Sequence, residues 1–122
     1  MKNLLYVEDD AINALVLKKL LGGLFNVTHV FDGESCMQLV DERSFDAILM
    51  DINLGKGKMD GVQTLHKLRE LQRSGPFIII AVTSYALPED RERFLQEGFD
   101  AYMPKPLNRL ELIALLNQYL GQ

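Results

Sequence analysis

The chain has a single cysteine, Cys36, in 122 residues. No internal disulfide can form, so packing and hydrogen bonding must hold the fold, and the pattern fits a reducing compartment. Cys36 itself reads as a small apolar residue rather than a reactive thiol. Basic excess is also lacking: 13 Lys and Arg stand against 17 Asp and Glu, a net charge of −4. A nucleic-acid-binding surface needs a basic face, so no direct nucleic-acid partner is expected. No apolar run approaches the roughly 20 residues that span a membrane, and no membrane partner is expected. Met1-Lys2-Asn3 leads straight into a strand-like run with no secretory pattern, so a cytoplasmic location is expected. Repeats, low-complexity stretches and long linkers are missing as well. Residues 1–122 read as one domain of ordinary globular composition, 48% hydrophobic and 25% charged.

What is present is an alternation. Five short apolar runs cover Asn3 to Val7, Asn26 to Phe31, Ala47 to Met50, Phe77 to Val82 and Ala101 to Met103. The first, third and fourth are almost continuously apolar, as strands covered on both faces are. Helix-length segments lie between and after them: Ala11 to Leu21, Glu34 to Glu42, Val62 to Arg73, Glu89 to Glu97 and Arg109 to Leu120. Ile12, Leu15, Val16 and Leu20 share one apolar stripe of the first helix, which Gly22-Gly23 ends. Pro88 suits a first turn and Gly98 a C-terminal cap. A βα unit repeated five times predicts an α/β fold: a flavodoxin-like doubly wound (βα)5 sandwich whose five-stranded parallel sheet has the order 2-1-3-4-5. Ligands of such sheets bind at the carboxyl ends of the strands, where the order switches.

Those ends carry chemistry. The first strand ends in Glu8-Asp9-Asp10, the third in Asp51, the fourth in Thr83-Ser84 and the fifth near Lys105-Pro106. Asp10 suits an N-cap of the first helix. Glu8, Asp9 and Asp51 are expected to converge, and three carboxylates in one cleft repel each other unless a cation joins them. A hard, oxygen-ligated cation such as Mg2+ (or Mn2+) answers that need, and no Cys/His cluster competes for a softer metal. An aspartate beside such a metal can act as nucleophile toward a phosphoryl group, giving an acyl phosphate. Lys105 supplies a positive charge for one phosphoryl oxygen and Thr83 a hydroxyl for another. Phosphoryl transfer requires little beyond such positioning and charge stabilisation.

Over its full length the chain resembles the receiver domain of bacterial two-component response regulators. Leu4-Leu5-Tyr6-Val7-Glu8-Asp9-Asp10 looks like the family's first strand with its metal-binding acids Glu8 and Asp9. Phe45 to Asp51 looks like the third strand with its phospho-acceptor, and Ala81-Val82-Thr83-Ser84 like the fourth with its switch hydroxyl. Tyr102-Met103-Pro104-Lys105-Pro106 looks like the fifth strand with the switch aromatic Tyr102. The resemblance implies that Asn53 binds the metal through its backbone carbonyl and that the Lys105-Pro106 bond is cis. It implies a sensor histidine kinase or a histidine phosphotransfer protein as donor. It also implies self-catalysed phosphorylation and dephosphorylation rather than enzymatic turnover. Asn13 is similar to the residue found in receivers of the single-domain and hybrid-kinase type. In such a switch, Thr83 moves toward the phosphoryl group, Tyr102 turns inward, and the surface of helix four, strand five and helix five changes.

One segment departs from the family. The stretch after Asp51 is long, and Gly55, Lys56, Gly57 and Lys58 either steer an acidic partner or form a solvated turn. In the last helix, Leu112, Leu116 and Leu120 can share a core stripe while Leu110 and Leu115 fall to either side. The latter mark a homodimer or effector surface, or are ordinary exposed leucines. His29 and His66 read as structural or solvated, and no phosphotransfer role is expected for His66. Two competing classes lose on particular residues. A haloacid-dehalogenase-like phosphohydrolase resembles Asp-x-Asp, where this chain has Asn53. A flavin carrier needs a phosphate-cradling loop after the first strand, where Glu8-Asp9-Asp10 has the wrong charge. A receiver that only docks partners, without phosphorylation, is opposed by the presence of Asp51, Thr83 and Lys105.

Overall fold

The computed structural model describes residues 1–53, 59–70, 77–84 and 87–121. The elements run β1 (Lys2–Val7), α1 (Ala11–Leu21), β2 (Phe25–Val30), α2 (Gly33–Glu42), β3 (Ala47–Asp51), α3 (Gly61–Glu70), β4 (Ile78–Thr83), α4 (Pro88–Glu97), β5 (Ala101–Pro104) and α5 (Arg109–Leu120). The five strands form one parallel sheet in the order β2-β1-β3-β4-β5. This is the expected doubly wound sheet. Residues 54–58, with the Gly55 to Lys58 stretch, lie outside the described residues, as do residues 71–73 at the end of the expected third helix.

The strand period of two divides the core. Leu5, Val7, Ile48, Met50, Ile79 and Ala81 face α2, α3 and α4. Leu4, Tyr6, Ala47, Leu49, Ile80 and Val82 face α1 and α5. Both faces are sealed, which is why these runs show no polar alternation. Carried forward, the same period puts Glu8 in line with Leu4 and Tyr6, and Asp51 in line with Ala47 and Leu49.

Local signals set the helix ends. Asp10 accepts hydrogen bonds from the N–H groups of Ile12 and Asn13, satisfying two orphan donors of α1. Asp32 does the same for α2 through Ser35 N, so that helix begins at Gly33, one residue before the expected start. Pro88 opens α4, and Gly98, at φ 123°, closes it in a conformation that side-chain-bearing residues avoid.

The expected stripe of α1 does not face the sheet. Ala14, Leu17 and Leu21 are buried instead, while Ile12, Leu15 and Val16 are 73%, 53% and 50% exposed and Leu20 is half-buried. The helix is apolar at both sets of positions, and its phase is set by where Asp10 launches it, which periodicity cannot choose. In α5, Leu112 and Leu116 are buried as expected, Leu120 and Leu115 are half-buried, and Leu110 is exposed. Among the described residues, no helix is long and apolar enough to cross a membrane.

Candidate functional site

Four strand ends converge beside the switch in strand order, where β1 and β3 are neighbours. Glu8 leaves β1 with its backbone N–H donating to Val30 O at 3.0 Å. Asp51 closes β3, and both carboxyl groups are buried. Asp9 is exposed at the mouth. One oxygen from each of Glu8, Asp9 and Asp51 can be chosen so that all lie within 4.8 Å of one another. Lys105 reaches in from beyond β5: its Nζ donates to Glu8 Oε1 at 2.9 Å and lies 3.5 Å from Asp51 Oδ2. Its backbone N–H donates to Thr83 O at 2.8 Å, tying the lysine to the end of β4, and the Lys105-Pro106 peptide is cis. Thr83 is buried. Asn53 is exposed just past β3 and donates its N–H to Asp51 Oδ1 at 3.3 Å. Tyr102, on β5, stands apart: its half-buried ring stacks on Phe94 of α4 with centroids 6.3 Å apart. The sequence model of the response regulator receiver domain matches residues 4–117.

The chain belongs to the response regulator receiver family.

The receiver's relatives are consistent with this. It is 31% identical over 124 residues to two-component system protein A of Emericella nidulans, covering 98% of this chain and 18% of that protein. It is 36% identical over 121 residues to the transcriptional regulatory protein CpxR of Escherichia coli K12, covering 98% of this chain and 50% of that protein. The chain therefore spans half or less of the length of these two curated relatives. Among solved structures, the receiver domain of sensor histidine kinase PA1611 from Pseudomonas aeruginosa PAO1 superposes with a TM-score of 0.86 at 35% identity, covering 99% of this chain and 98% of that one. That structure has a magnesium ion coordinated in its active-site cleft.

Charge in the receiver's cleft is unevenly held. Burial pushes the Asp51 carboxyl up to about 7, and the hydrogen bond and negative charge of Glu8 push the same way, against the pull of Lys105. Burial also opposes ionisation of Glu8, yet hydrogen bonds with Lys105 and Asp51 outweigh it and hold Glu8 well below the usual carboxylate range. Asp9 is raised by partial burial and by Glu8. Lys105 loses hydration, but Glu8 and Asp51 raise its pKa overall. Without a cation the cleft thus prefers a proton on the Asp51 side. A divalent ion relieves that strain and suits an all-oxygen donor set.

Two contacts to Glu8 come from residues with no expected part in the site, and the second agrees with the structural reading of His29. Tyr6, read only as part of an apolar run, donates its hydroxyl to Glu8 Oε1 at 3.0 Å. Its place two residues before Glu8 on one strand was the available signal. His29 Nε2 lies 2.7 Å from Glu8 O. A carbonyl only accepts, so Nε2–H is the donor. A third feature concerns backbone packing: Gly61 starts α3 so close to β3 that a Cβ there would lie 2.6 Å from Asp51 O and 2.9 Å from Ile52 Cα. His66 lies on the surface, 2.8 Å from Glu97.

Proposed function

We propose that this receiver accepts a phosphoryl group on Asp51 from a phosphohistidine of a sensor histidine kinase or a histidine phosphotransfer protein. The observation that carries the reading is the carboxylate cluster of Glu8, Asp9 and Asp51 with Lys105 Nζ 3.5 Å from Asp51 Oδ2. Glu8, Asp9, Asp51 and the backbone carbonyl of Asn53 would hold Mg2+, or Mn2+ in its place. Bound there, the ion neutralises the cluster and the charge of a phosphoryl oxygen. An Asp51 oxygen forms the new bond to phosphorus as the bond from phosphorus to the donor imidazole nitrogen breaks. Lys105 Nζ then turns to one phosphoryl oxygen and the Thr83 hydroxyl to another. Water attacking phosphorus beside the same residues breaks its bond to the Asp51 oxygen, releasing inorganic phosphate and restoring the carboxylate, so the loss is self-catalysed with no separate substrate turned over.

Residues 1–122 act as one phospho-acceptor domain in the cytoplasm. Two surfaces fit partners. Ile12, Leu15 and Val16 stand exposed on α1. Val16 and Asn13 border a cleft of about 340 Å3 whose other lining residues are Tyr6, Ser84, Lys105, Pro106 and Leu107. An apolar strip beside the reacting group supports docking of the protein donor there. Readout falls to Tyr102 and the α4-β5-α5 face, through a homodimer or an effector. A groove on that face, lined by Leu87, Pro88, Leu95 and Tyr102 together with the charged Glu89, Arg91 and Glu92, supports this assignment.

The test is transfer of labelled phosphate from a phosphorylated histidine phosphotransfer domain. Label moving to the parent chain but not to Asp51→Asn supports the reading. Equal labelling of Asp51→Asn overturns it.

A further inference from the structure

We infer that Tyr6 is a positioning residue, whose hydroxyl holds the Glu8 carboxylate in its metal-binding orientation. The inference rests on the proposed role of Glu8 as a ligand. Tyr6 is 1% exposed, on the β1 face packed against α1 and α5. A phenylalanine or leucine would fill such a place without carrying a polar atom into the core. A buried hydroxyl is costly unless bonded, and this one is bonded to Glu8 Oε1 at 3.0 Å.

Glu8 needs such a partner more than its neighbours do. It has one more rotatable bond than an aspartate, so its carboxylate is held only as well as its contacts hold it. Oε1 also accepts from Lys105 Nζ at 2.9 Å, and Oε2 accepts a longer bond of 3.3 Å from Asp10 N–H. Lys105 is a shared donor, because its Nζ also lies 3.5 Å from Asp51 Oδ2. Any phosphoryl group on Asp51 competes with Glu8 for that lysine. Tyr6 borders the cleft but cannot be drawn away in the same manner, because its ring is 1% exposed and packed in the core cluster with α1 and α5. It keeps Oε1 in place whichever carboxylate or phosphoryl oxygen Lys105 serves. The main chain of Glu8 is held separately, by His29 Nε2–H donating to its carbonyl at 2.7 Å. Ligand side chain and ligand backbone are therefore each held by a residue outside the acidic cluster. Supporting contacts of this kind commonly change metal affinity by about 10–100-fold when removed.

Tyr6→Phe removes the hydroxyl and keeps the ring. Mg2+ binding to the full chain, followed by titration calorimetry, is expected to weaken about tenfold. Phosphorylation by a small phosphodonor should need correspondingly more Mg2+ for half-maximal rate, while the rate at saturating Mg2+ stays near the parent's. Loss of packing alone would not produce that split. In a Glu8→Ala background, adding Tyr6→Phe should cost no further affinity. An unchanged Mg2+ affinity in Tyr6→Phe overturns the inference, and so does an equal loss in the Glu8→Ala background. A parent chain that binds no Mg2+ overturns the assignment of the acidic cluster itself, and the inference with it.

Discussion

Replacing Asp51 by Asn should stabilise the fold in the presence of a chelator, by an amount that depends on pH. Asp51 is 4% exposed and its carboxyl is pushed up to about 7, first by burial and then by Glu8. The ordinary unfolded value is about 3.9. Because the folded value lies above the unfolded one, the native parent holds an extra proton between these limits. The stability that proton confers is complete below the unfolded value and is lost as pH rises through the folded one. The slope is about 1.4 kcal/mol per pH unit for one fully linked proton. From about pH 5 to about pH 7 the parent should lose roughly 2 kcal/mol that the Asn variant keeps. The variant's amide retains the Asn53 N–H contact and can donate toward Glu8, as a protonated Asp51 does. Urea denaturation of both proteins across this range, with chelator present, reads the difference directly. Saturating Mg2+ should reverse the order, because an ion that binds only the native state stabilises the protein that binds it more tightly. A parent-variant difference that is constant with pH, or one that shrinks as pH rises, would refute the reasoning.

Other residues make independent demands. Gly61→Ala places a methyl 2.6 Å from Asp51 O and 3.2 Å from Met50 Cγ, so the start of α3 must move away from β3. The expected cost is about 1–3 kcal/mol, read as a melting temperature lowered by at least about 3 °C, and an unchanged melting curve would contradict the close approach. Leu15→Asp alters an exposed residue of α1 and should leave stability and small-donor phosphorylation near the parent's. It should slow transfer from a protein donor by about tenfold or more, as loss of an interface anchor does; an equal rate would remove α1 from the docking surface.

The sequence made the sheet legible for a physical reason. Strands sealed on both faces are written as unbroken apolar runs, and Leu4 to Val7, Ala47 to Met50 and Ile79 to Val82 are all buried. Pro88, Gly98 and Asp10 marked helix ends because their roles depend on the local backbone alone. The acids, hydroxyl and lysine were legible because the strand order follows from the βα alternation and carries them to one end of the sheet. The failures were tertiary. The face of α1 could not be chosen because both Ile12-Leu15-Val16 and Ala14-Leu17-Leu21 satisfy a helical period. Tyr6 was hidden because its ring is a core residue and only its oxygen belongs to the site. Gly61 was hidden because nothing near it in sequence announces how close β3 passes.

Intact-mass measurement after incubation with a small phosphodonor and Mg2+ tests the central claim most directly. The account predicts a single added phosphate on the parent chain, absent from Asp51→Asn and absent when Mg2+ is chelated. An adduct that survives in Asp51→Asn, or no adduct on the parent across several phosphodonors, would contradict it.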